Sequence, residues 1–163
     1  MRLIGLTLEN FRCYAEPISV RFNDLTALVG THAVGTSALM DAMAIFFMEA
    51  PPAKDDACKS GDPKKMRITC EFSQLPDEIV VDTDFPTSLE QEHLLSAQGT
   101  LIIRKTFNGS LAKPTVSSTD ALAEHPTSAG FHDLLTLKKA DLAKRAEELG
   151  VNLEGVDKRK NAP

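Results

Sequence analysis

The run from Leu25 to Phe47 is the part of this chain that most restricts how it can fold. Leu25 to Val29 is short and mostly apolar and ends in Gly30. A second glycine follows at Gly35, and Thr36-Ser37 open a strongly apolar stretch to Phe47. A strand, a glycine-bounded loop and a helix in that order make the layout G-x-x-x-x-G-K-[ST], with Thr36 where lysine is required. Glycine tolerates positive φ and has no Cβ to crowd a ligand, so such a loop can turn consecutive N–H groups onto a phosphate. The following helix adds its unpaired first amides and the positive end of its dipole. Ser37 carries the hydroxyl placed to ligate a nucleotide's magnesium ion. None of these contacts needs lysine, whose contribution is a point charge on the terminal phosphates. Threonine can donate a hydrogen bond but not that charge. A glycine-containing strand-to-helix turn that binds nothing fits the same eight residues.

The flanks narrow the choice. Met1 to Arg12 is an alternating strand ending in Asn10-Phe11-Arg12, Ile18 to Phe22 is a second strand, and Asn23-Asp24 turn into the apolar run. Ser37 to Phe47 has few polar residues, as a helix buried against a sheet requires. This block closely resembles the ATPase heads of the SMC/RecF group and, within it, the OLD (overcoming lysogenization defect) ATP-dependent nucleases. The resemblance rests on the Asn-Phe-Arg strand end, the strand ending in Phe22 and the Asn23-Asp24-Leu25-Thr26 lead-in. It continues in Leu39-Met-Asp-Ala-Met-Ala-Ile-Phe-Phe47 beyond the loop. It is dense over residues 1–47 and thins toward residue 110.

The resemblance implies an α/β fold: an ABC-ATPase-like N-terminal lobe, with a mixed β-sheet packed around the loop's helix and peripheral helices. It implies ATP and magnesium as ligands, held weakly here or not at all. Gly30, Ala33, Val34, Gly35, Thr36, Ser37 and Ala38 would surround the phosphates, with Ser37 on the metal and Arg12 at the nucleotide rim. A structural arginine at a strand end is the other reading of Arg12. Two loop positions depart from the pattern, because His32 stands where these loops carry Asn and Thr36 where they carry Lys. No residue is assigned a catalytic role. Such heads place an acidic pair after an apolar strand and reach the nucleotide with a serine-glycine signature across a dimer. This chain has no four apolar residues followed by Asp-Glu, and no L-S-G-G. Glu78 to Asp84 comes nearest to the former. Gln74, after a strand expected over 66–72, is a candidate for the glutamine that senses magnesium in related heads, or an ordinary surface residue.

At 163 residues the chain suits one domain with a real core. A formal charge of −5 opposes a surface that coats nucleic acid, while leaving room for a local basic face. Cys13, Cys58 and Cys70 are widely spaced and form no C-x-x-C pair, so reduced thiols are expected, not zinc or a disulfide framework. No apolar run is long enough to span a bilayer and no signal segment opens the sequence. A cytoplasmic location away from membranes is therefore expected.

Beyond the first helix, residues 49–65 should be an exposed loop and Met66 to Phe72 a strand. Leu75 to Glu78 has the composition of a helical turn, and Thr87 that of a helix start. Thr100 to Phe107 is a strong strand closed by Asn108-Gly109, which can turn a hairpin. Residues 112–130 have the composition of a loop, and Phe131 to Leu137 that of a short helix. Lys138 to Leu149 is an amphipathic helix stopped by Gly150. Its basic residues are either a solvated face or contacts for DNA phosphates. The division expected is an ATPase lobe over 1–110, then a loop and helical extension over 111–163. The chain is either an N-terminal fragment whose second lobe lies downstream, or a small stand-alone descendant.

Two functions are therefore expected. One is the nucleotide-binding lobe of an OLD-like DNA-processing ATPase and nuclease, with a role in anti-phage defence. It would act as a homo-oligomer or head dimer, with DNA engaged by the complete assembly and a nuclease or defence protein as partner. ATP binding would be impaired, and this chain alone would not hydrolyse ATP. The other is a non-catalytic scaffold or protein-interaction module that keeps the fold and has lost nucleotide.

Overall fold

The computed structural model describes residues 1–29, 35–82, 85–124 and 131–151. The chain divides into two units, 1–124 and 125–163. In the first, Met66–Ser73 (β3) shows how sequence becomes sheet. Its residues alternate without a break between buried and half-buried, as a strand with one face on a core must. It sits at the centre of five strands with Arg2–Glu9 (β1), Ile18–Arg21 (β2), Leu101–Asn108 (β6) and Thr115–Ala121 (β7), in the order β2-β1-β3-β6-β7. Ile79–Asp82 (β4) and Phe85–Thr87 (β5) form a separate two-stranded sheet.

One sheet face is apolar. Leu6, Leu8, Met66, Ile68, Cys70, Phe72, Leu101 and Phe107 are all buried there. The helix Thr36–Phe46 (α1) covers it with Ala38, Leu39, Ala42, Ile45 and Phe46, spaced one helical stripe apart. Its C-terminal end is pinned over β3 and β6. The Phe46 ring lies 6.3 Å from that of Phe72, and the Lys105 ammonium donates to the Phe46 carbonyl at 2.8 Å.

Several expectations need correction. The resemblance implies a mixed sheet, yet every ladder of the five-stranded sheet is antiparallel. The crossover through α1 joins β2 to β3, and β1 lies between them, paired antiparallel to both. Leu25 to Val29 forms no strand, and Leu25 lies in a bend. Leu28 packs against the core, while Leu25 and Val29 are 90% and 91% exposed. An apolar run becomes a strand only when a neighbour completes its backbone hydrogen bonds, and no described segment does. Leu75 to Glu78 is not helical. The chain turns at Gln74, whose φ is 50°, and runs on into β4. The helix expected from Thr87 stops after one turn. Ser88 Oγ does accept the Gln91 amide at 3.1 Å, but His93 adopts a φ of 53° and ends it. Within 112–130, Thr115–Ala121 is a strand, not loop. It is a polar edge strand, so it lacks apolar alternation, and its pairing to β6 supplies the order that its side chains do not.

In the second unit, the expected short helix is a single tight turn, Leu134–Thr136. Lys139–Glu148 (α2) ends as its glycine foretells. Gly150 has a φ of 66°, its amide donates to Glu147 O, and Val151 donates to Ala146 O. That is the Schellman pattern.

Burial in β3 pushes the Cys70 thiol from its ordinary 9.0 up to about 12. The thiol form is thus favoured in the fold. Its stabilising effect is complete below pH 9 and is lost as pH rises toward 12, at up to ~1.4 kcal/mol per pH unit. Unfolding titrations from pH 8 to 11 should show this alkaline loss. Cys70→Val should remove the part due to this residue, and an unchanged profile would refute the assignment.

Candidate functional site

Asn10, Phe11 and Arg12 form the knot on which the site is built. Asn10 and Arg12 both have positive φ, 54° and 50°, and Phe11 between them is fully buried. The two strained residues swing their side chains to opposite tasks. Asn10 donates to Lys65 O at 3.1 Å and accepts from Asp62 N at 3.0 Å, so it ties the 58–65 segment to the end of β1. Gly61 passes so close that a Cβ there would lie 2.0 Å from Asn10 Oδ1.

Arg12 reaches two carboxylates. Its Nε donates to Asp56 Oδ1 at 2.8 Å, and its Nη1 pairs with Asp41 on α1. Asp56 is the fixed partner. Its side chain is 6% exposed, its other oxygen accepts from Ala53 N at 2.7 Å, and its carbonyl accepts from Arg12 N. Partial burial works against the Arg12 charge, but hydrogen bonds and attraction from Asp56 and Asp41 outweigh it and raise its pKa. Arg12 is thus a structural arginine that also sits against α1.

The start of α1 is the second component. Gly35 precedes it with φ 88° and ψ 7°, and among the described residues no side chain caps the helix. A Cβ on Gly35 would lie 2.1 Å from Tyr14 Oη and 2.9 Å from Cys13 Sγ, so only glycine fits this junction. The first helical bond runs from Leu39 N to Gly35 O. The amides of Thr36, Ser37 and Ala38 therefore precede the ladder, with no acceptor among the described residues. No acidic residue lies in the first turn. Ser37 is exposed, Thr36 is half-buried, and Ala38 is buried, so Ala38 can offer only its amide. Asp41 lies four residues beyond Ser37 and hence on the same helix face. Through Asp41, the Arg12 guanidinium is drawn to the face that carries Ser37.

Of the residues singled out from sequence, the fold brings together Arg12, Gly35, Thr36, Ser37 and Ala38. Gly30, Ala33 and Val34, with His32, lie outside the described residues. Gln74 follows β3 at a turn with a φ of 50°. Sequence reasoning missed Asp41, Asp56 and Gly61, and the bonds that Asn10 makes. A lone carboxylate in the apolar α1 was a usable signal for Asp41, whereas Asp56 pairs across 44 residues and left none. Beside this junction, Arg12, Cys13, Cys58, Lys59 and Ser60 line an open cleft of about 560 Å³. The Ser60 hydroxyl, facing the Cys58 thiol at 3.3 Å, lowers the thiol's pKa despite burial.

A glycine-capped helix start with open amides, an exposed serine and a nearby guanidinium suits a phosphate. A family model of the AAA ATPase domain matches residues 1–162. The chain belongs to the AAA ATPase domain family. It is a nucleotide-binding ATPase module, and ATP with magnesium is the ligand pair of this family in general. No curated protein matches the chain. The fit of magnesium-ATP rests on the start of α1, where the amides of residues 36–38 precede the helical ladder and Ser37 is exposed. Ser37 would hold the metal. Among the described residues, no cluster of three or more His, Cys, Asp or Glu is arranged to hold a metal ion by itself, and no helix is long and apolar enough to cross a membrane.

Proposed function

We propose that this AAA ATPase domain is the ATP-binding lobe of an OLD-like DNA-processing ATPase, binding ATP weakly and hydrolysing none by itself. The observation that carries the reading is the α1 start: free amides at residues 36–38 behind Gly35, with exposed Ser37 and Arg12 on one helix face. Backbone amides and the helix dipole supply most of the phosphate cradle. Thr36 withholds the lysine charge, so affinity is low. Magnesium-ATP brings the phosphate charge that the site must neutralise, and Ser37 and Arg12 are the groups that meet it. The 163 residues carry neither an apolar strand followed by Asp-Glu nor an L-S-G-G signature, so turnover needs residues from elsewhere. In the complete assembly, nucleotide would close a head dimer, with DNA bound by the whole and a nuclease or defence protein as partner.

Calorimetric titration of the full chain with magnesium-ATP tests this. Weak heat is expected from the parent chain, with roughly 10- to 100-fold tighter binding for Thr36→Lys, since a hydrogen bond to a charged group contributes ~1.5–3 kcal/mol. No detectable phosphate release is expected from either chain. Absence of heat from both would overturn the reading.

The scaffold reading is favoured by one feature, the commitment of Arg12 to two carboxylates. In that case Gly35 variants that still fold would leave partner assembly untouched, whereas ATP-dependent assembly would refute it.

A further inference from the structure

We propose that Asp41 is a built-in competitor of the nucleotide phosphates for Arg12, so that ATP binds by exchanging a phosphate for a carboxylate. The inference rests on the nucleotide-binding reading above and deepens it. The two carboxylates on Arg12 are not equivalent. Asp56 is buried, with its second oxygen taken by the Ala53 amide and its carbonyl by the Arg12 amide. It cannot leave without orphaning a buried charge. Asp41 is 51% exposed and carries the sole charge on α1. Water can replace its partner at small cost, as at any exposed ion pair.

Position makes the exchange productive. Asp41 stands one turn beyond Ser37 on the same helix face, with Cβ atoms about 5–6 Å apart in such pairs. Asp41 therefore holds the Nη1 end of Arg12 against α1, one helical turn beyond Ser37. A guanidinium suits carboxylate and phosphate alike, so the same nitrogen serves either anion. The folded cluster of Arg12, Asp41 and Asp56 is a net anion, and the nearby Asp55 and Lys59 cancel. A triphosphate thus meets repulsion from Asp41 and finds Arg12 already paired. With no lysine at position 36, Arg12 is the cation paired to α1 among the described residues, and Asp41 sets how readily it is given.

The test is calorimetry on the full chain with magnesium-ATP, inorganic triphosphate and adenosine as separate probes. Asp41→Asn should bind ATP and triphosphate roughly three- to tenfold tighter at low salt, with the gain shrinking at high ionic strength. Adenosine, which has no phosphate, should respond equally to both chains. In an Arg12→Gln background, Asp41→Asn should bring no gain. A purely structural carboxylate would give the opposite sign, a lower melting temperature with weaker binding. If Asp41→Asn melts early, Asp41→Ser removes the same charge, and its triphosphate affinity decides. Unchanged or weaker phosphate binding by both Asp41 variants, while Thr36→Lys gains ATP affinity, overturns this inference and leaves the lobe reading intact. No binding by Thr36→Lys or either Asp41 variant overturns both.

Discussion

The Phe11→Ala chain is expected to unfold about 3–5 kcal/mol more easily than its parent, as large-to-small changes of a buried phenylalanine do. Phe11 is fully buried, belongs to the main core cluster, and makes isolated backbone bridges to Tyr14 and Ala57. Its ring also backs the Arg12 guanidinium, whose Cζ lies 5.4 Å from the ring centroid. Removing the ring leaves a cavity under the turn that sets the directions of Asn10 and Arg12. The chain has no Trp and a single Tyr, so urea unfolding followed by far-ultraviolet circular dichroism is the suitable measurement. The midpoint should fall with an unchanged slope. Where the variant remains folded, ATP affinity should fall too, since Arg12 loses its support. A loss below about 1 kcal/mol would show that the turn is held by its polar contacts and not by Phe11.

Gly35→Ala should be the second large loss, about 2–4 kcal/mol, because two costs coincide. A φ of 88° is unfavourable for any residue with a Cβ, and that Cβ would lie 2.1 Å from Tyr14 Oη and 2.6 Å from Tyr14 Cζ. Relief requires Tyr14 or the first turn of α1 to move, and either shift disturbs the amides of residues 36–38. ATP binding should vanish with it. Gly99→Ala is the internal control. Gly99 has a φ of 71° with nothing within 4 Å, so only the backbone cost of about 1–2 kcal/mol remains. Equal losses at the two positions would show that contact with Tyr14 is not what demands glycine at 35.

The strands β1, β3 and β6 were legible because each buries one face, and alternation such as Met66, Ile68, Cys70 and Phe72 admits only a period of two. Helix α2 was legible for the same local reason, its stop written in Gly150. The misses share a cause. β7 is a polar edge strand whose order comes from its neighbour. Leu25 to Val29 is an apolar run to which no described segment offers a ladder. The turn after Thr87 begins with a sound cap, yet His93 ends it before a helix can propagate.

The candidate site divides along the same line. Gly35, Thr36, Ser37 and the helix behind them are adjacent in sequence, so their spacing alone marked a glycine-preceded helix start with an exposed serine. Asn10-Phe11-Arg12 was visible as a pattern, but not its mechanics. The Arg12 bonds to Asp41 and Asp56 span 29 and 44 residues, and the Asn10 bond to Lys65 spans 55. Local spacing can specify a helix start and the groups that it presents, because backbone geometry is set within a turn. Which charges meet across the fold depends on how the sheet and α1 pack, and there the tertiary structure alone decided that Arg12 is held between a buried carboxylate and an exposed one.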